Sequence, residues 1–169
     1  MSSTVRRVLP VVSALLVLSS CTSGFGEPEV ALPSPTGEAA DACRALAEEL
    51  PDEVDGVERG ELPESSPFAA VWGDPAIVLR CGVPRPELVT PGSETYDPLG
   101  AEFVGVNEVT WLLEEQSDGV RFTTQERAVF VEMTVPDDYA PEVNPLLDVA
   151  APIDRAIPPD DLHADPESE

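Results

Sequence analysis

The amino-acid sequence predicts an α+β domain: an antiparallel sheet of about four to five strands, an N-terminal and a C-terminal helix packed on it, and one disulfide. Three observations carry this expectation. Two segments with helical apolar spacing bracket the folded part of the chain, and several segments with two-residue alternation lie between them. Of the three cysteines, the two that remain once the one closing a leader-like start is set aside form an even pair.

The leader comes first. Arg6 and Arg7 precede a nearly continuous apolar run from Val8 to Leu18, and Leu18-Ser19-Ser20 leads straight into Cys21. A charged start, a short apolar run and small residues before the cleavage point describe a secretory signal. A cysteine at the next position makes it a lipoprotein signal, so the mature chain is expected to begin at a diacylglyceryl-modified Cys21, on the extracytoplasmic face of the cell membrane. The run is shorter than the ~20 apolar residues a spanning helix needs. The arginine pair also raises twin-arginine export, but Val5 and Pro10 fit that pattern poorly, so ordinary secretion is favoured. Residues 21–37, rich in Gly, Pro and Ser, read as a flexible tether that could hold the domain up to ~50 Å from the bilayer.

The domain itself is expected over residues 38–157. Ala39, Ala42, Cys43, Leu46 and Leu50 recur at helical spacing, with Thr36 placed to cap the helix and Pro51 to stop it. Residues 76–81 read as a strand with Ile77, Leu79 and Cys81 on one face and Val78 and Arg80 on the other. Candidate strands follow at 103–106, 108–115, 120–124 and 127–135, with Gln116 to Gly119 as the hairpin loop between the second and third of these. Asn144 before Pro145 reads as the start of a second helix, with Leu146, Leu147, Ala150, Ile153 and Ile157 as its apolar face and Pro152 expected to kink or split it. The acidic tail from Pro158, almost without core residues, is expected to be disordered.

Cys43 and Cys81 fall on the apolar faces of their respective elements. In an oxidising compartment an even pair reads as a structural disulfide, here locking the first helix to the sheet. Composition then narrows the partners. The chain carries 9 Lys+Arg residues, all of them arginine, against 33 acidic residues, for a net charge of −24. Such a field disfavours nucleic acid and anionic headgroups and favours solubility, a basic protein partner or divalent cations.

Most catalytic chemistries lack their parts. The single histidine, His163, lies in the acidic tail, which argues against a Ser–His–acid triad and a histidine-rich zinc site. No phosphate-binding glycine motif is present, and no cofactor is expected. Asp52-Glu53-Val54-Asp55-Gly56 resembles a calcium loop only superficially. Aligning Gly56 with the obligatory glycine puts Pro51 and Leu62 where oxygen donors belong, so no metal site is assigned. A pair of carboxylates could hydrolyse a glycosidic bond, with Tyr96, Trp72 or Trp111 stacking on the sugar, but no two acids are marked out. The candidate contact residues are therefore Arg80, Trp72, Asp74 and Arg127. Arg80 offers either a guanidinium fork to an anionic ligand or an internal ion pair, and the abundance of acids favours the ion pair. Trp72-Gly73-Asp74-Pro75 is either a strand-orienting turn with a core tryptophan or a recognition loop. Arg127, like Arg80, falls on a predicted strand.

Taken together, Trp72-Gly73-Asp74-Pro75, Leu79-Arg80-Cys81-Gly82-Val83, Val109-Thr110-Trp111, Thr124-Gln125-Glu126-Arg127 and the run from Val131 to Pro136 form a pattern. It resembles an actinobacterial lipoprotein family known as domain of unknown function 3515, over roughly residues 40–157. The resemblance implies an exported, lipid-anchored envelope protein and brings no assigned activity or catalytic residues. The expected function is a non-catalytic module binding an envelope protein or cell-wall component, with a carboxylate hydrolase of a wall glycan, or a carrier of a small ligand, as alternatives.

Overall fold

The structure, a computed structural model, describes residues 30–162. The leader, Cys21 and His163 lie outside the described residues. The helical spacing around Cys43 produces α1 (Gly37–Glu49), which buries Ala40, Cys43 and Leu46. Thr36 stands at its N-cap position with extended backbone, but its side chain makes no capping hydrogen bond. Asp55-Gly56, both at positive φ, turns a short hairpin of β1 (Glu53–Val54) and β2 (Val57–Glu58). An Asp-Gly pair is the strongest short-range hairpin signal, and this one falls in the segment that superficially resembles a calcium loop. Asp55 N donates to Asp148 Oδ2 at 2.8 Å, which ties the turn to the second helix.

The main sheet has six strands, all antiparallel, in the order β3-β4-β8-β7-β6-β5. They are β3 (Ala69–Trp72), β4 (Ile77–Cys81), β5 (Glu102–Val106), β6 (Val109–Gln116), β7 (Gly119–Thr124) and β8 (Val131–Pro136). Strands β5 to β8 form the expected meander, and β4 adds to β8 from the other side. The count therefore exceeds the four to five expected, because β3 and the small hairpin are additional. All four residues of β3 are buried, so it shows no alternation by which a strand is recognised. The last predicted strand starts four residues late. Glu126, at φ 60°, turns the chain away, and residues 127–130 run beside the C-terminal segment instead.

The second helix, α2 (Leu146–Ala156), contains Pro152 without being split. Proline there removes the N–H that would reach the carbonyl of Asp148 and crowds that carbonyl with its ring, but burial of Leu146, Val149, Ala150, Pro152 and Ile153 holds the helix to the core. Asn144 acts through its carbonyl, which accepts from Leu147 N at 3.0 Å. The N-cap position belongs to Pro145. The two helices lie beside one another, and one buried cluster joins Cys43 and Leu46 of α1, Val149 and Ile153 of α2, and Leu79, Phe122, Met133 and Trp111 of the sheet. The Cys43–Cys81 disulfide crosses that layer with Cα atoms 5.6 Å apart.

Both domain boundaries differ from expectation. Ala31 O accepts from Arg80 Nη1 at 3.0 Å, and Pro35 rests on Gly82 so closely that a Cβ there would collide with its ring. Residues 31–35 are thus fastened to the sheet rather than part of a free tether. Nor does order end at Pro158. Its carbonyl accepts from Ala128 N at 2.9 Å, and Asp160 N donates to Glu126 O at 3.0 Å.

Candidate functional site

The helices cover one face of the sheet. The other carries a cross-strand row running Ala69, Arg80, Glu132, Thr123, Leu112 and Phe103. Arg80 donates to Glu132 Oε1 through Nε at 2.9 Å and Nη2 at 2.6 Å, and to Ala31 O through Nη1. All three guanidinium nitrogens are thus engaged within the chain. Arg127 lies on no strand and is 6% exposed. It donates to Ile157 O at 3.0 Å, to Asp154 Oδ1 at 2.8 Å and to Glu108 O, joining the β5–β6 turn to the end of α2.

Trp72 and Trp111 are both 0% exposed, which removes them as sugar-stacking platforms. Trp72 donates from Nε1 to Pro51 O at 3.1 Å, with the Arg59 guanidinium 5.7 Å from its ring centroid. Trp111 Nε1 is buried without a hydrogen-bond partner. Asp74 is exposed and precedes the cis bond to Pro75. Nearby, the Tyr139 hydroxyl donates to Pro75 O at 2.7 Å. Burial pushes its pKa above the ordinary tyrosine value, the backbone of Asp74 opposes this, and the carboxylates of Asp138, Asp74 and Asp55 add to the rise. Arg80 and Arg127 thus lie on elements apart from Trp72 and Asp74, which share one turn, and none of the hollows described below is lined by two of the four.

A different region of the outer face is built as a cleft. Residues 82–101 leave β4 and return as β5 through a loop that braces itself: Thr90 Oγ1 donates to Pro86 O at 2.7 Å, and Asp97 N donates to Leu88 O at 3.0 Å. Val83 and Val89 are buried beneath it, as are Leu112 and Thr123 on the sheet. Between loop and sheet lies a hollow of about 430 Å³, lined by Arg85, Val89, Pro91, Tyr96, Pro98, Phe103, Thr110, Gln125, Glu126, Phe130, Asp160 and Leu162. Tyr96, Phe103 and Leu162 line it at 45%, 49% and 88% exposure. Of these residues only Tyr96 is among those the sequence offered as ligand-stacking. The available signal was Arg85 itself, an arginine between Pro84 and Pro86 in a long loop without helical or strand partners.

Other hollows carry less. One of about 400 Å³ beside β3 is lined by Arg59, Ser65 and Ser66, among others, and Arg59 is stacked on Trp72. Another, of about 300 Å³, surrounds the Arg80–Glu132 pair. Among the described residues no group of three or more His, Cys, Asp or Glu is placed to hold a metal ion, and no helix is long and apolar enough to cross a membrane.

Fold and cleft together define a disulfide-stapled α+β domain with a small-ligand-sized hollow on the sheet face that the helices leave open. The chain belongs to the family described as "Protein of unknown function (DUF3515)", whose pattern it matches over residues 7–162. No curated protein and no solved structure matches it.

Proposed function

We propose that this protein is a lipid-anchored, extracytoplasmic binding module without catalytic activity of its own, and that the cleft under the 82–101 loop is its binding surface. One observation carries the reading: three large, exposed apolar side chains, Tyr96, Phe103 and Leu162, converge on one hollow of about 430 Å³. Concave, mainly apolar sites of that size with a few polar groups are where small ligands and side chains of partners bind. A long loop that packs on its own hydrogen bonds is a frequent carrier of such sites. Anchoring rests on Cys21 behind its leader, and the Cys43–Cys81 disulfide suits an oxidising compartment. Glu126 and Asp160 line the same hollow, which keeps a carboxylate hydrolase as the second reading.

The test is site-specific photo-crosslinking of the full-length protein in its own membranes, with the crosslinker at Tyr96 or, as a control on the helix side, at exposed Leu147. A membrane-fraction adduct from Tyr96 and none from Leu147 supports the reading. Equal yield from both positions, or a Cys21→Ala protein still firmly in the membrane, overturns it.

A further inference from the structure

We infer that the cleft takes an amphipathic monocarboxylic acid, with an aromatic or branched apolar body and a hydrogen-bond donor close to the carboxylate. The inference rests on the cleft being the binding surface and adds the chemistry of its ligand. Among the described arginines, Arg44, Arg80, Arg121, Arg127 and Arg155 each pair with a carboxylate, and Arg59 stacks on Trp72. Arg85 alone has no carboxylate or ring partner among the described residues, in a chain with 33 acids, and it stands at the apolar cleft. An arginine fork in such a place matches a carboxylate by charge and by planar geometry.

Gln125 is the second, independent observation. It lines the cleft, is 8% exposed, and its Nε2 donates to Thr123 O at 3.2 Å and Thr124 O at 3.0 Å. Both neighbours are acceptors, so the amide orientation is fixed by its surroundings. That leaves Oε1, on a residue 8% exposed that lines the cleft, as an accessible acceptor to which no described group donates. It is placed to accept an N–H or O–H from a ligand in the cleft. Tyr96, Phe103 and Phe130 supply the walls for an apolar body. The cleft sets its one guanidinium beside the carboxylates of Glu126 and Asp160, in a chain of net charge −24, so it accommodates at most one further negative charge and resists a dianion such as a phosphate monoester.

The experiment is isothermal titration of the purified full chain with three probes. They are N-acetylphenylalanine, its primary amide, and N-acetyl-N-methylphenylalanine, which lacks the N–H. The acid is expected to bind about 10–150-fold more tightly than the amide, the range of a charged hydrogen bond. The N-methyl acid is expected to bind about 2–10-fold more weakly than the acid, the range of a neutral one. Arg85→Gln, an exposed substitution, should bring acid and amide to equal affinity. Equal affinity in the unaltered protein, an acid-to-amide ratio unchanged by Arg85→Gln, or no binding of the acid overturns the inference. Crosslinking from Tyr96 that persists while the probes fail overturns the ligand class alone and leaves the binding surface standing.

Discussion

Arg80 on β4 and Glu132 on β8 stand directly opposite in the ladder, and a single carboxylate oxygen of Glu132 accepts from both Nε and Nη2 of Arg80. The pair holds the centre of the open face and also binds the incoming chain at Ala31. Removing the arginine leaves a largely buried carboxylate without its partner. Arg80→Ala should therefore cost about 1–3 kcal/mol, below the loss for a fully buried pair because the Arg80 side chain is 26% exposed. Urea unfolding measures it. An Arg80→Met/Glu132→Met double variant should recover most of the loss, and no recovery would show that the pair's charges are not the cause.

Arg127 presents a sharper case. Its guanidinium satisfies the carbonyls of Glu108 and Ile157 and the carboxylate of Asp154 from a nearly inaccessible position. Arg127→Met removes all these donors at once and should lower stability by about 2–5 kcal/mol. Hydrogen exchange should show the end of α2 and the segment at Pro158 losing protection first. Uniform loss across the sheet would contradict the linking role.

The disulfide joins positions 38 residues apart, for which chain-entropy arithmetic gives about 4 kcal/mol. A Cys43→Ala/Cys81→Ala protein should unfold at a correspondingly lower guanidinium concentration. A midpoint unchanged from the parent would show that the bridge adds nothing to this fold.

Tyr139 gives a pH signature. Its folded pKa is raised, chiefly by burial, so the folded state favours the neutral phenol. The stabilisation from this group is fully present below the ordinary tyrosine pKa of about 10 and is lost as pH rises through the higher folded value. Stability should therefore fall on the alkaline side more steeply in the parent than in Tyr139→Phe. Parallel curves for the two would rule the contribution out.

Periodicity makes the two helices and the meander legible in the sequence, because each buries one face and exposes the other, and it places Cys43 and Cys81 on buried faces. β3 escaped because Ala69–Trp72 is buried throughout. The Asp55-Gly56 hairpin was obscured by its acids, which invite a metal reading although the dipeptide is itself a turn signal. At the site the difficulty was of another kind. Arg80 and Arg127 drew attention as scarce cations on predicted strands, yet ordered elements are where an acidic protein finds partners for its arginines. Arg85 lies in a proline-flanked loop. Its significance depends on Phe103, Gln125 and Leu162, which arrive from distant parts of the chain and which no local pattern connects.

If the chain is anchored at Cys21 as proposed, the fastening of residues 31–35 to the sheet has a mechanical consequence. The distance from Cys21 to Val30 would then be limited to about 30 Å by chain length, instead of the ~50 Å that the whole segment to Gly37 would allow. Because Ala31 is bound to Arg80 on the open sheet face, the pull of such an anchor would be applied to that face rather than to the helical side. Under that proposal the domain would stay within the first few nanometres above the bilayer, with its reach set by how firmly Arg80 grips Ala31.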